Sequence, residues 1–257
     1  MDLIKYHVEN RVAYITLNRP EKRNALNPEL IASLLAAFSK ANQDEGVKVI
    51  VFNANGEVFS AGADLAYLQQ LQNNSYLDNL ADSSALKELF YTIYTSPKAV
   101  IAQVEGSAIA GGCGLVSVCD IVFSVPEAKF GYTEVKIGFI PALVACFLVR
   151  KMGEGRTKEV LLSGDLIDAE TASAYGLINF VRDKQNIRES VKSYAEKLVT
   201  GTSAQSVSLT KQLIEIARNL SLEESLEEAV KLNATARATT DCKRGIAAFL
   251  NKESITW

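Results

Sequence analysis

Histidine is nearly absent: the 257 residues contain one, His7. A Ser-His-Asp or Cys-His hydrolase needs an imidazole near its nucleophile, and the residues around His7 carry no nucleophile signature. A metal site is disfavoured on the same ground. No second ligand stands near His7, which reads as a surface residue of an edge strand. Cysteine is scarce as well. Cys113, Cys119, Cys146 and Cys242 form no C-x-x-C pair, so the sequence predicts reduced thiols within a core. Charge of one sign is not in excess. A net charge of -3 gives no electrostatic reason to expect nucleic acid or an anionic membrane as partner. No apolar run approaches the ~20 residues that span a bilayer; the longest candidate, Phe139 to Val149, falls well short. The opening Met1-Asp2-Leu3-Ile4-Lys5-Tyr6 has no basic stretch ahead of an apolar one. No secretory signal is expected there, and the expected location is cytoplasmic.

What is present is ordinary for a folded protein. Apolar residues make up 48% and charged residues 22%, which argues against disorder. The length is enough to bury a sizeable core. Val12 to Leu17 reads as a strand ended by Asn18-Arg19-Pro20. Pro28 opens a helix running to about Asn42, with apolar positions at 30, 31, 34, 35 and 38 and Asn27 as its N-cap. Val47 to Asn53 and Ala99 to Val104 read as buried strands flanking a long helical and loop region, 64 to 96. A glycine-rich turn then leads into a helix, and Asp120 to Ser124 returns as a strand. Strands alternating with helices predict an α/β fold with parallel β-α units on one core.

After about residue 195 the pattern turns to helices only: Ala204 to Asn219, Leu222 to Ala236 and Cys242 to Asn251. Residues 1–195 are therefore read as the β/α core and 196–257 as a C-terminal helical segment. The acidic stripe of Leu222 to Ala229 reads as a solvated face.

Chemistry concentrates in two segments. In Val58-Phe59-Ser60-Ala61-Gly62-Ala63-Asp64-Leu65 a strand end turns through small residues into a helix, so the backbone can approach a ligand closely. In Val104 to Leu115 a strand again runs through glycines into a helix, whose N-terminus offers N–H donors and a positive dipole end. The second segment is neither a Walker loop nor a G-x-G-x-x-G fingerprint. Two such turns in one core can aim one N–H each at a single carbonyl oxygen, forming an oxyanion hole.

These two segments, with Asn18-Arg19-Pro20 and Lys22-Arg23-Asn24-Ala25-Leu26 ahead of them, resemble the enoyl-CoA hydratase/isomerase (crotonase) superfamily. The resemblance continues through Cys119-Asp120-Ile121, Ala128-Lys129-Phe130-Gly131, Glu134, Ile140-Pro141, Ser163-Gly164-Asp165 and Gly245 to Lys252, which covers nearly the whole chain. It implies a crotonase-like β-β-α superhelix core with a C-terminal helical trimerisation segment. It also implies an acyl-CoA thioester substrate whose enolate is held by the amides of Ala63 and Gly111. Coenzyme A would be part of the substrate, and no separate cofactor is implied. The family commonly places two catalytic glutamates near the thioester. One position is occupied here by Glu134; the other falls at Gly114, which has no side chain.

Glu134 in a mostly apolar pocket would have a raised pKa and could shuttle protons; the plainer reading is a surface carboxylate paired with Lys136 or Lys129. A single carboxylate leaves three outcomes open: a hydratase in which Glu134 serves both ends of the addition, a Δ3,Δ2-enoyl-CoA isomerase using Glu134 as sole base, and an inactive acyl-CoA-binding protein. Ala142 to Phe147 stands where glycine-rich sequence is common in hydratases. Its larger side chains point to a short or branched acyl group, nearest to the methylglutaconyl-CoA type in branched amino acid degradation. The same carry-over places Lys22 and Arg23 on phosphates. It sets Ala25 with the Ala61–Leu65 turn, including Asp64, and Gly114 along the substrate, with Phe249 and Lys252 at the nucleotide end. The implied assembly is a homotrimer or a dimer of trimers, in which Phe249 and Lys252 serve a neighbouring subunit.

Overall fold

The computed structural model describes residues 2–257. The chain opens with an antiparallel pair, β1 (Ile4–Glu9) and β2 (Val12–Leu17), then enters α1 (Pro28–Gln43). Asn27 caps this helix, its side-chain oxygen accepting from Leu30 N at 2.9 Å, and Pro28 takes the first turn, where no N–H is needed. Buried Leu30, Ile31, Leu34, Ala37, Phe38 and Ala41 recur at helical spacing and press α1 onto the sheet. β3 (Val49–Ala54) follows, then α2 (Leu65–Leu71), α3 (Tyr76–Tyr94) and β4 (Ala99–Val104), all of whose residues are buried. A strand buried on both faces is what a parallel sheet covered on both sides requires.

The chain continues through β5 (Ala108–Ile109), α4 (Gly111–Ser117), β6 (Ile121–Ser124) and β7 (Lys129–Gly131), then α5 (Ala142–Met152), α6 (Glu154–Ser163), β8 (Ile167–Asp168), α7 (Ala169–Ala174) and β9 (Phe180–Val181). It ends in α8 (Ile187–Gly201), α9 (Ala204–Ala217), α10 (Leu222–Ala238) and α11 (Thr240–Asn251). The main sheet has the order β1-β2-β3-β4-β6-β9, parallel except for β1, and a small second sheet has the order β5-β7-β8. This is an α/β architecture with a helical C-terminus. His7 lies exposed on the edge strand β1, stacked on Tyr14 with ring centroids 4.7 Å apart.

Three aromatic rings join helix, sheet and site. Phe38 of α1 meets Phe52 of β3 edge-on at 5.3 Å, and Phe52 meets Phe59 likewise at 5.3 Å. Phe59 thus locks the chain immediately before the turn at Ser60. α8 starts earlier than the expected helical segment and runs across residue 195, with Ile187, Val191, Ala195 and Val199 buried against the sheet. The region 64 to 96 resolves into α2 and α3, and only the second half of α3, at Leu89, Phe90 and Ile93, is buried. Of the four thiols, Cys113 and Cys119 are core residues, but Cys146 is exposed and Cys242 half-buried. Cys146 falls on the outer face of an amphipathic helix, so its composition misled about its place. Among the described residues no helix is long and apolar enough to cross a membrane.

Candidate active site

The first turn is built by a loop that precedes it in sequence. Asn24 is fully buried with φ 51°, a left-handed conformation that asparagine tolerates. Its amide group donates to Asn55 O and Val58 O, both at 2.9 Å, and its Oδ1 accepts from Arg19 N at 2.9 Å. Ser60 Oγ donates to the Asn24 carbonyl at 2.8 Å. With the loop so fixed, Leu26 makes both bonds of a short parallel bridge. Its N–H donates to Gly62 O at 2.6 Å, and its carbonyl accepts from Asp64 N at 2.9 Å. In such a bridge the residue opposite, Ala63, turns its own N–H the other way. That N–H has no acceptor among the described residues.

The second turn lies directly against the first. Gly62 has φ +88°, and a Cβ there would stand 2.9 Å from Ala110 Cβ and 3.7 Å from Gly111 N. At Gly112 a Cβ would lie 2.6 Å from Ser60 O. Glycine at both points is what lets the two backbones touch. Between them Ala110 adopts φ 50°, ψ -126°, held by its N–H donating to Gly131 O at 2.8 Å and its carbonyl accepting from Gly114 N at 2.9 Å. A backbone this unusual in a residue with a Cβ costs about 1–3 kcal/mol and persists where the surroundings fix it, often at functional sites. Gly111 opens α4, so its N–H is one of the helix's orphan donors, and it too has no acceptor among the described residues. The Ala63 and Gly111 amides are therefore two unused donors on adjoining turns.

Glu134 arrives from the strand that braces Ala110. It starts a 3-10 turn, Glu134–Ile137, shortly after Gly131 of β7. Burial of Cys113 pushes its thiol up to about 12, and the charge of Glu134 adds to the rise. The Glu134 Oε2 is buried without a hydrogen-bond partner. Burial raises this carboxyl above its ordinary 4.5. Lys136 pairs instead with Asp165 at 2.8 Å, so the surface ion-pair reading of Glu134 fails.

The remaining expected residues divide. Lys22 and Arg23 are exposed and make no side-chain hydrogen bond or ion pair among the described residues, leaving both cations free. Ala25 is buried, Ala61 half-buried and Leu65 80% exposed beside Ala63. The Asp64 carboxylate is already engaged. It accepts from Arg19 Nη1 at 2.6 Å and caps α2 through Ala66 N at 2.9 Å, and the arginine holds its pKa below the usual range. It orders the turn and presents no free group to a ligand. Gly114 is buried, and a Cβ there would meet Phe90 and Val144. Phe249 and Lys252 are exposed on the C-terminal helices, where α11 packs on α9 and α10, and the chain does not bring them to the two turns. Sequence reasoning missed Arg19, Asn24 and Ser60 as the residues that build the first turn. Asn24 and Ser60 are polar residues inside motifs made of small ones, which is the signal that could have marked them.

Two cavities of about 590 and 600 Å³ lie elsewhere, along α9. Their lysines already donate to backbone carbonyls: Lys48 to Val199 and Thr202, Lys98 to Ala41 and Asp44, and Lys151 to Ser117 and Cys119. These ammonium groups close helix C-termini rather than wait for a ligand.

Two paired backbone donors and one raised carboxyl on a crotonase-type scaffold define an enzyme class that stabilises an oxyanion while moving a proton. The family profile described as Enoyl-CoA hydratase/isomerase matches residues 7–257. A Thermus thermophilus protein that bears an enoyl-CoA hydratase name is 43% identical over 244 residues, covering 95% of this chain and 96% of that one. Crotonyl-CoA hydratase of Syntrophomonas wolfei is 32% identical, covering 95% of this chain and 93% of its own length. Among solved structures, an enoyl-CoA hydratase from Mycobacterium smegmatis superposes with a TM-score of 0.94 at 28% identity, over 100% of this chain and 99% of that one. The chain belongs to the enoyl-CoA hydratase/isomerase family of enzymes.

Proposed function

We propose that the protein adds water reversibly to a short or branched 2-enoyl-CoA. The thioester oxygen accepts from the Ala63 and Gly111 amides. Glu134 takes a proton from water as the water oxygen bonds to C3, the enolate forms on the thioester, and Glu134 then returns that proton to C2. The observation that carries this reading is the buried Glu134 Oε2, without a hydrogen-bond partner and three residues beyond the Gly131 carbonyl that braces Ala110, together with the two unused backbone donors. A carboxyl with a pKa nearer neutrality exchanges protons more readily at working pH. Relatives named for crotonyl-CoA and for (E)-benzylidenesuccinyl-CoA support acyl groups that are short or branched, and we place the substrate nearest the 3-methylglutaconyl class. The free cations of Lys22 and Arg23 suit the CoA phosphates, with Ala25, Ala61 and Leu65 along the thioester arm.

A second reading is a Δ3,Δ2-enoyl-CoA isomerase, in which Glu134 removes a proton at one carbon and returns it at another. What favours it is that position 114 carries no carboxylate and that a side chain there would meet Phe90 and Val144.

The assembly we propose is a homotrimer or a dimer of trimers, with Phe249 and Lys252 completing a neighbour's nucleotide site. Leu222, Leu226 and Val230 form an exposed stripe on α10, and Ile246, Phe249 and Leu250 another on α11. Apolar stripes of this kind mark surfaces that pack against a partner.

Incubating the purified protein with a panel of short enoyl-CoA thioesters, 3-methylglutaconyl-CoA included, followed by mass spectrometry, tests the reading. A gain of one water establishes hydration. Unchanged mass with migration of the double bond from a 3-enoyl-CoA establishes the isomerase.

A further inference from the structure

Gly114 lies one helical turn beyond Gly111, so both occupy one face of α4. An acyl group whose carbonyl oxygen accepts from the Gly111 N–H extends over that face, and what covers Gly114 limits how far. A Cβ at Gly114 would stand 2.7 Å from Phe90 Cζ and 2.8 Å from Val144 Cγ1. Phe90 is fully buried and Val144 4% exposed, so neither side chain is a loose surface group. The wall is also backed. Phe147 meets Phe90 edge-on at 6.2 Å, and Tyr94 lies against Phe147 at 5.1 Å, which buttresses the Phe90 ring. These contacts join three separate helices, α3, α4 and α5, at one point. Closely packed interiors of this kind yield little to an intruding chain.

We infer that Phe90 and Val144 are the specificity-determining residues of the site: they close the α4 face after its first turn and restrict the acyl group to a short or branched one. The inference rests on the reading of Ala63 and Gly111 as the thioester-carbonyl site. Phe90 of α3 acts as the end wall and Val144 of α5 as its side. Because both are apolar, the wall selects by length.

The test is kcat/KM for crotonyl-CoA and for trans-2-decenoyl-CoA, measured on the wild type, on Phe90→Ala and, in case that cavity impairs folding, on Phe90→Leu and Val144→Ala. The wild type is expected to favour the four-carbon substrate by at least tenfold. The substitutions are expected to shift the ratio toward the ten-carbon substrate by about tenfold or more, the scale at which a pocket discriminates added methylenes. The dissociation constant for free CoA should not change. A wild type indifferent to chain length, or a ratio unmoved in folded Phe90→Leu and Val144→Ala, overturns the end wall while leaving the hydratase reading intact. A wild type that turns over neither thioester and binds neither overturns both.

Discussion

Glu134 and Gly114, the two positions at which the family resemblance implies catalytic glutamates, have opposite character. At one stands a half-buried carboxyl whose Oε2 is buried without a hydrogen-bond partner and whose pKa burial raises. At the other, the place a side chain would occupy is filled by Phe90 and Val144. The first arrangement costs stability and leaves a group able to exchange protons; the second contributes packing and leaves nothing to react. Local features that oppose folding are expected where chemistry is done, with their cost offset by the surrounding core. The contrast therefore separates a reactive side from a shaping side within one site.

Placing a carboxylate on the shaping side should do the greatest damage. In Gly114→Glu the first side-chain atom already meets Phe90 and Val144 at under 3 Å. Overpacking of that kind costs about 1–3 kcal/mol, and the buried charge adds to it. Thermal unfolding should show a Tm lowered by several degrees with no gain in hydration, whereas an unchanged Tm would mean that the wall gives way.

A smaller change should weaken the donors that both sides share. Gly62→Ala puts a methyl 2.9 Å from Ala110 Cβ at a φ of +88°, which pushes the two turns apart. Losing one oxyanion donor costs about 10²–10³ in kcat. Steady-state kinetics should show that fall in kcat with the fold retained by circular dichroism.

The smallest effect concerns stability on the reactive side, and its sign is informative. The Glu134 pKa is raised in the folded protein above its ordinary 4.5. Between 4.5 and the raised value the folded state holds a proton that the unfolded state has lost. Stability from this group is therefore fully present below 4.5 and falls as pH rises through the raised pKa. Glu134→Gln mimics the protonated form, so its Tm at pH 7 should exceed that of the wild type, and the difference should vanish in acid. A lower Tm at pH 7 would show that the carboxylate has a partner after all.

Much of this was legible in the sequence because it is local. Asn27 before Pro28 is a helix start in both sequence and structure, and the two glycine-bearing turns announced close backbone approach. The structural role of Asp64 is equally local: an aspartate immediately before a helix is a cap, and here Arg19 engages its other oxygen. The end wall, by contrast, was hidden. Phe90 meets Gly114 only because α3 folds back over α4, and nothing in the residues around either position records that contact. Cys146 shows the same limit, since composition suggested a core thiol but the face of α5 it occupies was set by packing.

The account stands most directly on Glu134 as the group that moves the proton. The decisive measurement is kcat/KM for the active thioester in Glu134→Gln, with the dissociation constant for a non-reactive acyl-CoA measured alongside. A fall of about 10²–10⁴ with unchanged binding is the expected result for loss of a general acid–base. Retained turnover in the folded variant would contradict the account and move the chemistry to another residue.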